Sequence, residues 1–190
     1  MSLKKITSIL LSIVFFAVPV ATFGSISACQ HQTPPPQPVT INSSISVRVN
    51  GVNRPTLYSF LTDIRNDNLW YPGIISTELV QEGGKHGIGR IYEQSAVAGP
   101  ITTHTTIEVI DAKTNNYFQI QGDGDIADFT ALYTFKALPG GATEWTMTST
   151  YIAPGFTEET FTQYIVFALS GLIDYYGNGG EVIVNYVNVN

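Results

Sequence analysis

Apolar and polar residues follow two rhythms along this chain. From Ile41 to Val49 they alternate, with Ile45, Val47 and Val49 on one side and Ser44, Ser46 and Arg48 on the other. That is the pattern of a half-buried strand. The same two-residue period recurs in Ile74–Gln81, Gly87–Ala98, Ile101–Asp111, Tyr117–Gly122, Asp125–Ala137 and Thr143–Ile152. Gly83-Gly84, Gly99-Pro100, Thr114-Asn115-Asn116, Asp123-Gly124 and Pro139-Gly140-Gly141 separate them, each with turn chemistry. Connections this short require antiparallel neighbours, because a parallel crossover needs a dozen or more residues. The expected product is one antiparallel meander with the first strand closing its far edge.

The second rhythm is helical. In Thr157–Tyr176, residues Phe161, Tyr164, Ile165, Ala168, Leu172 and Tyr175 recur at three- and four-residue steps and so share a face. Thr157 followed by Glu158 and Glu159 suits the positive end of a helix. Earlier, Asn53-Arg54-Pro55 opens a shorter helix with Leu57, Phe60, Leu61 and Ile64 as its stripe. The polar run Arg65–Asn68 frays that helix, and Leu69-Trp70-Tyr71-Pro72-Gly73 turns the chain.

Strand phase sorts the aromatics. Trp145, Met147 and Tyr151 oppose Glu144, Thr146 and Thr148; Phe129, Tyr133 and Phe135 oppose Asp128, Thr130 and Lys136; Phe118 and Ile120 oppose Tyr117 and Gln119. Each strand thus has one solvated face and one apolar face that must be covered. The long C-terminal helix is the expected cover.

The residues before the domain have a different character. Lys4 and Lys5 precede the apolar run Ile6–Phe23, the layout of an export signal. Ile26-Ser27-Ala28-Cys29 resembles the bacterial lipobox, whose cysteine is lipidated and becomes the mature N-terminus. The expected organisation is a signal peptide at 1–28, a proline-rich tether at 29–40 and one domain at 41–190. The expected location is a bacterial envelope membrane, held by lipid on Cys29. Ordinary signal cleavage and an uncleaved anchor are the alternatives, the run being near the length that spans a bilayer. Gln30–Val39 contains three consecutive prolines and little to bury, which makes it a spacer.

The chain carries a net charge of −6, and removing residues 1–28 takes away Lys4 and Lys5 but no carboxylate. So acidic a surface disfavours nucleic acid as a partner and leaves membrane attachment to the lipid. The three histidines, His31, His86 and His104, are far apart with no ligand spacing, so no metal or other cofactor is expected. Gly83–Gly89 lacks the Ser or Thr after its lysine and the following helix that a phosphate loop needs. No Gly-x-Ser-x-Gly elbow is present and no cysteine lies inside the domain, so no catalytic constellation is named. The best acid–base candidate is Glu93, on the strand whose facing the pattern leaves open; Arg90 or Tyr92 takes its place if the phase is opposite.

The order strand, two short helices, six strands and a long helix resembles the START and birch-pollen-allergen-like helix-grip superfamily. This SRPBCC group includes polyketide cyclase/dehydrase and lipid-transport proteins. The residues that carry the resemblance are Val47–Val49, Pro55–Asp63 and Trp70-Tyr71-Pro72-Gly73, followed by Gly87–Arg90, Glu108-Val109-Ile110 and Tyr133-Thr134-Phe135. It covers residue 43 to about 176. It implies an α+β fold in which a curved antiparallel sheet of about seven strands wraps around the long C-terminal helix. It also implies a cavity between them for a hydrophobic small molecule. Phe60, Phe118, Phe129, Tyr133, Phe135, Trp145, Tyr151, Phe161 and Tyr164 are its candidate lining.

Three functions follow. The first is a lipid-anchored binder of a lipid, isoprenoid or polyketide-like molecule. The second is an assembly lipoprotein with a filled core and a protein partner. The third is a cyclase- or dehydrase-type enzyme, which requires an ionisable group in the interior. Family length also implies that the helix resumes beyond Gly177-Asn178-Gly179-Gly180, although three glycines cost a helix roughly 2–3 kcal/mol. The β-type composition of Val182–Val187 leaves a strand open at that point, as well as disorder.

Overall fold

The computed structural model describes residues 37–98 and 100–190; the signal-like run, the lipobox with Cys29 and most of the proline-rich stretch lie outside the described residues. Eight strands and three helices follow one another. They are β1 (Pro38–Val49), α1 (Arg54–Leu61), α2 (Asp67–Trp70), β2 (Ile74–Gln81), β3 (Ile91–Ala98) and β4 (Ile101–Lys113). Then come β5 (Tyr117–Gly124), β6 (Asp128–Ala137), β7 (Thr143–Pro154), α3 (Glu158–Tyr176) and β8 (Gly180–Val189). All pair antiparallel in one sheet of order β2-β3-β4-β5-β6-β7-β1-β8. Register shifts in β2, near Val109–Asp111 of β4 and near Ser44–Ile45 of the β1–β8 pair bend the sheet.

The inner face is the one that alternation picks out. Ile41, Ile45, Val47 and Val49 of β1, Ile107 and Val109 of β4, Phe118 and Ile120 of β5, and Trp145 and Met147 of β7 are buried. Polar residues on this face are paired: Ser43 Oγ and Ser149 Oγ share a hydrogen bond of 2.8 Å, and Thr143 Oγ1 donates to the Val52 carbonyl at 2.7 Å.

α3 covers this face, as its periodicity requires. Thr157 caps it, accepting from the Thr160 N–H while Thr160 Oγ1 takes the Thr157 N–H in return. The buried stripe is Phe161, Ile165, Ala168, Leu169 and Leu172. Two residues expected on that stripe, Tyr164 and Tyr175, lie outside it at 47% and 45% exposure. Leu169 takes the central place, which rotates the buried face away from the tyrosines. Gly171 is where α3 meets the corner after α2: a Cβ there would collide with the Trp70 carbonyl.

The tail corrects the expectation of a resumed helix. Gly177 ends α3 in the left-handed region (φ 66°), its N–H bonding the Ile173 carbonyl at 3.0 Å. The chain then turns back as β8, pairing with β1 from Gly180↔Val49 to Val189↔Ile41. The physical reason is twofold. Gly180 lies so close to the Arg48 carbonyl that no larger residue fits, and β1 would otherwise present an unpaired edge to its β-rich neighbour. The first strand is therefore interior, not terminal, and the glycines form a turn, not a helical hinge. Arg48 bridges three strands, pairing with Glu144 of β7 at 3.1 Å and with Glu181 of β8.

A smaller correction concerns Gly87–Arg90, expected to begin a strand. His86, Gly87 and Gly89 have φ of 60°, 83° and 82°, which an extended strand does not permit. The strand starts at Ile91, and its phase is then fixed: Tyr92 points inward at 1% exposure, while Glu93 is exposed on the outer face. Glu93 is thereby withdrawn as an interior acid or base.

Candidate functional site

The corner between α1 and β2 builds the polar part of the interior. Asn53 caps α1 by accepting from the Thr56 N–H. One turn beyond α1, Asp63 caps a 3₁₀ turn and grips Arg65 through Nε at 2.8 Å and Nη2 at 2.7 Å. Arg65 holds the Asp63 carboxyl below the usual carboxylate range. Four residues on, α2 gives Asp67 the opposite fate. Its carboxylate turns into the protein and accepts from Gln94 Nε2 of β3 at 3.2 Å. The other Gln94 N–H goes to Thr77 Oγ1 of β2 at 3.1 Å, which fixes the amide. Burial pushes Asp67 up to about 7, against the opposing pull of the Gln94 hydrogen bond.

A group of tyrosines lies on the same inner face, and one of them, Tyr133, is near this carboxylate. Tyr71, directly after α2, donates its hydroxyl to Tyr164 Oη of α3 at 3.2 Å. Tyr133 lies near Asp67 and Tyr151, and Tyr151 near Tyr164. Burial raises Tyr71, Tyr133 and Tyr151 well above the ordinary phenol value, so all three stay neutral donors. Asp67, Tyr71, Tyr133 and Tyr151 are nonetheless only half-buried. Two indoles stand behind them. Trp145 crosses both Trp70 and Tyr133 at 87°, with centroids at 5.9 Å and 5.2 Å. The indole N–H of Trp145 is buried without a partner, and that of Trp70 faces the Asp67 carboxylate.

The candidate lining residues fall into separate groups. Phe118, Tyr133, Phe135 and Trp145 pack in the centre, where Phe135 also meets Tyr58 at 5.1 Å. Phe129, Tyr151 and Phe161 form a second chain of rings, with spacings of 5.5 Å and 5.2 Å. Phe129 lies flat over Gly122 of β5, leaving no space for a side chain there. Phe60 stands apart, stacked at 4.8 Å on Tyr175 near the C-terminal end of α3. Tyr164, largely exposed, reaches this group through the hydroxyl that accepts from Tyr71. Tyr133 is near Asp67 and Tyr151, and Tyr151 is near Tyr164, whereas Phe118, Phe135, Trp145 and Phe161 are packed core.

Sequence reasoning missed Asp67, Gln94 and Tyr71. Asp67 was part of a polar run read as helix fraying, and Gln94 sat on the strand of open phase. The signal that marks them is Asp67 three residues before Trp70, a spacing that puts both on one face of a single helical turn.

Two open depressions lie elsewhere, largely on the outer face of the sheet. The one lined by Glu78, Glu93, His104, Asp123 and Asp125 measures about 640 Å³; the other, with Glu108, Asp128, Thr130 and Ile152, about 520 Å³. Both are polar-rimmed and shallow. Among the described residues, no three His, Cys, Asp or Glu side chains form a group that could hold a metal.

Comparison of the fold with solved structures gives consistent matches. A conserved protein from Geobacillus kaustophilus superposes with a TM-score of 0.59 at 15% identity, covering 74% of this chain and 98% of its own. A START superfamily protein from Mycobacterium smegmatis gives 0.58 at 13% identity, covering 72% and 94%. The Zhui aromatase/cyclase from a Streptomyces species gives 0.58 at 10% identity, covering 72% and 90%. No family model matches the sequence, and comparison with curated proteins finds no match. The chain shares with these structures the helix-grip fold, an open antiparallel sheet closed by a long helix.

Proposed function

We propose that this protein binds a hydrophobic small molecule between the sheet and α3, held at a bacterial envelope membrane by lipid on Cys29. The observation that carries the binding reading is the half-buried inner face at Tyr71, Tyr133 and Tyr151, where Tyr71 meets Tyr164 of α3. There the aromatic inner face stays partly accessible next to α3. An apolar wall with a few convergent polar groups is the usual make-up of a small-ligand site. The anchor rests on Ile26-Ser27-Ala28-Cys29 behind an apolar run, and the proline-rich spacer then sets the domain off the membrane.

Native mass spectrometry of protein isolated from its host is expected to show a bound species that organic solvent removes. Repeated ligand-free spectra, together with no uptake of a fluorescent lipid, would overturn the reading. The anchor is tested separately by growth with labelled palmitate. Cys29→Ala should lose the label and leave the membrane fraction; a labelled or still membrane-bound variant would refute lipidation at that cysteine.

A second reading has its own observation. Phe118, Phe135, Trp145 and Phe161 are fully packed, as in an assembly protein with a filled core. It predicts ligand-free spectra and recovery of one specific protein in pull-downs.

A further inference from the structure

Strand register brings a common set of termini to one end of the sheet. The pairings Pro38↔Pro154, Asp128↔Ile152, Gly122↔Phe129, Thr105↔Gly124 and Val97↔Thr102 place there the start of β1, the end of β7, the β5–β6 turn and the β3–β4 hairpin. β2 starts at the same end, since the Gly73 carbonyl accepts the Val97 N–H at 2.8 Å. At the hairpin corner Ile75, Val97 and Ile101 are 52%, 51% and 54% exposed. Along β4, Ile101 shares the phase of buried Thr103 and Ile107 and lies on the inner side; along β3, Val97 shares the phase of exposed Glu93 and lies on the outer side. The tip is thus apolar on both faces, and Ser95–Thr103 carries no charge. Single surface hydrophobics are ordinary, but a tip apolar on both sides is covered only in part by a protein docked on one face, whereas lipid surrounds it.

Charge separates the two ends as well. Among the described residues no lysine or arginine lies at the hairpin end. Arg48, Lys113 and Lys136 stand at the far ends of β1, β4 and β6, and the others lie on α1 and the connections at that opposite end. The spacer joins the domain at the hairpin end, because Pro38 opens β1 there. Pro38 is nine residues after Cys29, a span of at most about 30 Å. β4 lies four strand positions from β1, at about 4.8 Å each. A bilayer that holds a lipid on Cys29 is therefore within reach of the tip.

On the reading that Cys29 is lipidated, we propose that the β3–β4 tip, with Ile75 beside it, inserts into the interfacial layer of that same bilayer. The lipid and the tip form two attachments, and a second signal is what turns weak anchoring into stable anchoring. α3 begins just after Pro154 at this end, so the insertion also turns the start of that helix towards the lipid. With no cation at the contact, the insertion is apolar in nature, works on uncharged lipid and withstands salt.

The protein extracted from host membranes and reconstituted in phosphatidylcholine vesicles tests this, with an environment-sensitive fluorophore on single introduced cysteines. Val97→Cys and Ile101→Cys report on the tip, and Val80→Cys, similarly exposed at the far end of β2, is the control. Cys29, blocked by its lipid, takes no label. Lipids carrying a nitroxide on the acyl chain should quench both tip probes at least about 3-fold more than the control. The difference should persist in about 1 M salt. Adding Ile101→Glu should abolish quenching at Val97→Cys without changing the urea midpoint. Equal quenching at all three positions, quenching that salt removes, or quenching that survives Ile101→Glu would overturn the insertion. Labelled palmitate on the same samples separates the two claims. Palmitate present without selective quenching at the tip refutes the insertion alone; palmitate absent refutes the anchor and the insertion that rests on it.

Discussion

Trp145→Ala is expected to destabilise the protein by about 3–5 kcal/mol, a large part of the stability of an ordinary domain. Trp145 is 1% exposed and sits where three walls meet. It pairs with Val47 of β1 on one side and with Phe135 of β6 on the other, and its ring crosses those of Trp70 and Tyr133. Removing the indole leaves a cavity that two sheet neighbours and a helical corner cannot all collapse into. The lost indole N–H had no partner, so little hydrogen bonding is forfeited and nearly all of the cost is packing. Urea denaturation should show the midpoint falling steeply, with Leu69→Ala, at a solvent-facing position, changing it little. A loss below about 1 kcal/mol for Trp145→Ala would mean the centre is loosely filled.

That residue also shows what could be read from the chain. Alternation alone places Trp145 on the inner face, together with Phe118, Ile120 and Met147, because a one-residue phase error would put each of them in water. Turn chemistry likewise fixed the ends of β2. The tail was less legible, since Gly177–Gly180 is compatible with a helix end, a hinge or a turn. What decides is the unpaired edge of β1, a tertiary fact. β3 was ambiguous for a related reason: Tyr92 and Glu93 are adjacent, and the positive φ of Gly87 and Gly89 shifts the start of the strand. The polar part of the interior was hidden further still. Nothing local separates Asp63, which faces solvent on Arg65, from Asp67, which turns inward. Only the corner made by α2 against β3 tells them apart.

That inward turn leads to the second large effect, a pH dependence of stability centred on one carboxyl. Asp67 is raised from 3.8 to about 7 in the folded chain. Between those values the native state holds a proton that the unfolded chain has released, so ν for the native state exceeds ν for the unfolded state. The contribution of Asp67 to stability is therefore highest below about pH 4, falls as pH rises towards 7, and is flat above. Roughly three pH units of displacement correspond to about 4 kcal/mol, which solvent reaching the half-buried side chain trims to about 2 kcal/mol. Asp67→Asn keeps an acceptor for Gln94 but carries no charge at any pH. The variant should match the wild type near pH 4 and exceed it by about 2 kcal/mol at pH 8. Other titrations, such as that of Asp63, are common to both proteins and cancel in the difference. Urea midpoints measured from pH 4 to 8 give the two curves directly. Parallel curves would show that Asp67 titrates like a surface carboxylate, and the inward placement of its side chain would then be refuted. Divergence in the stated direction would place a titratable, unpaired carboxylate inside the grip of the sheet on α3.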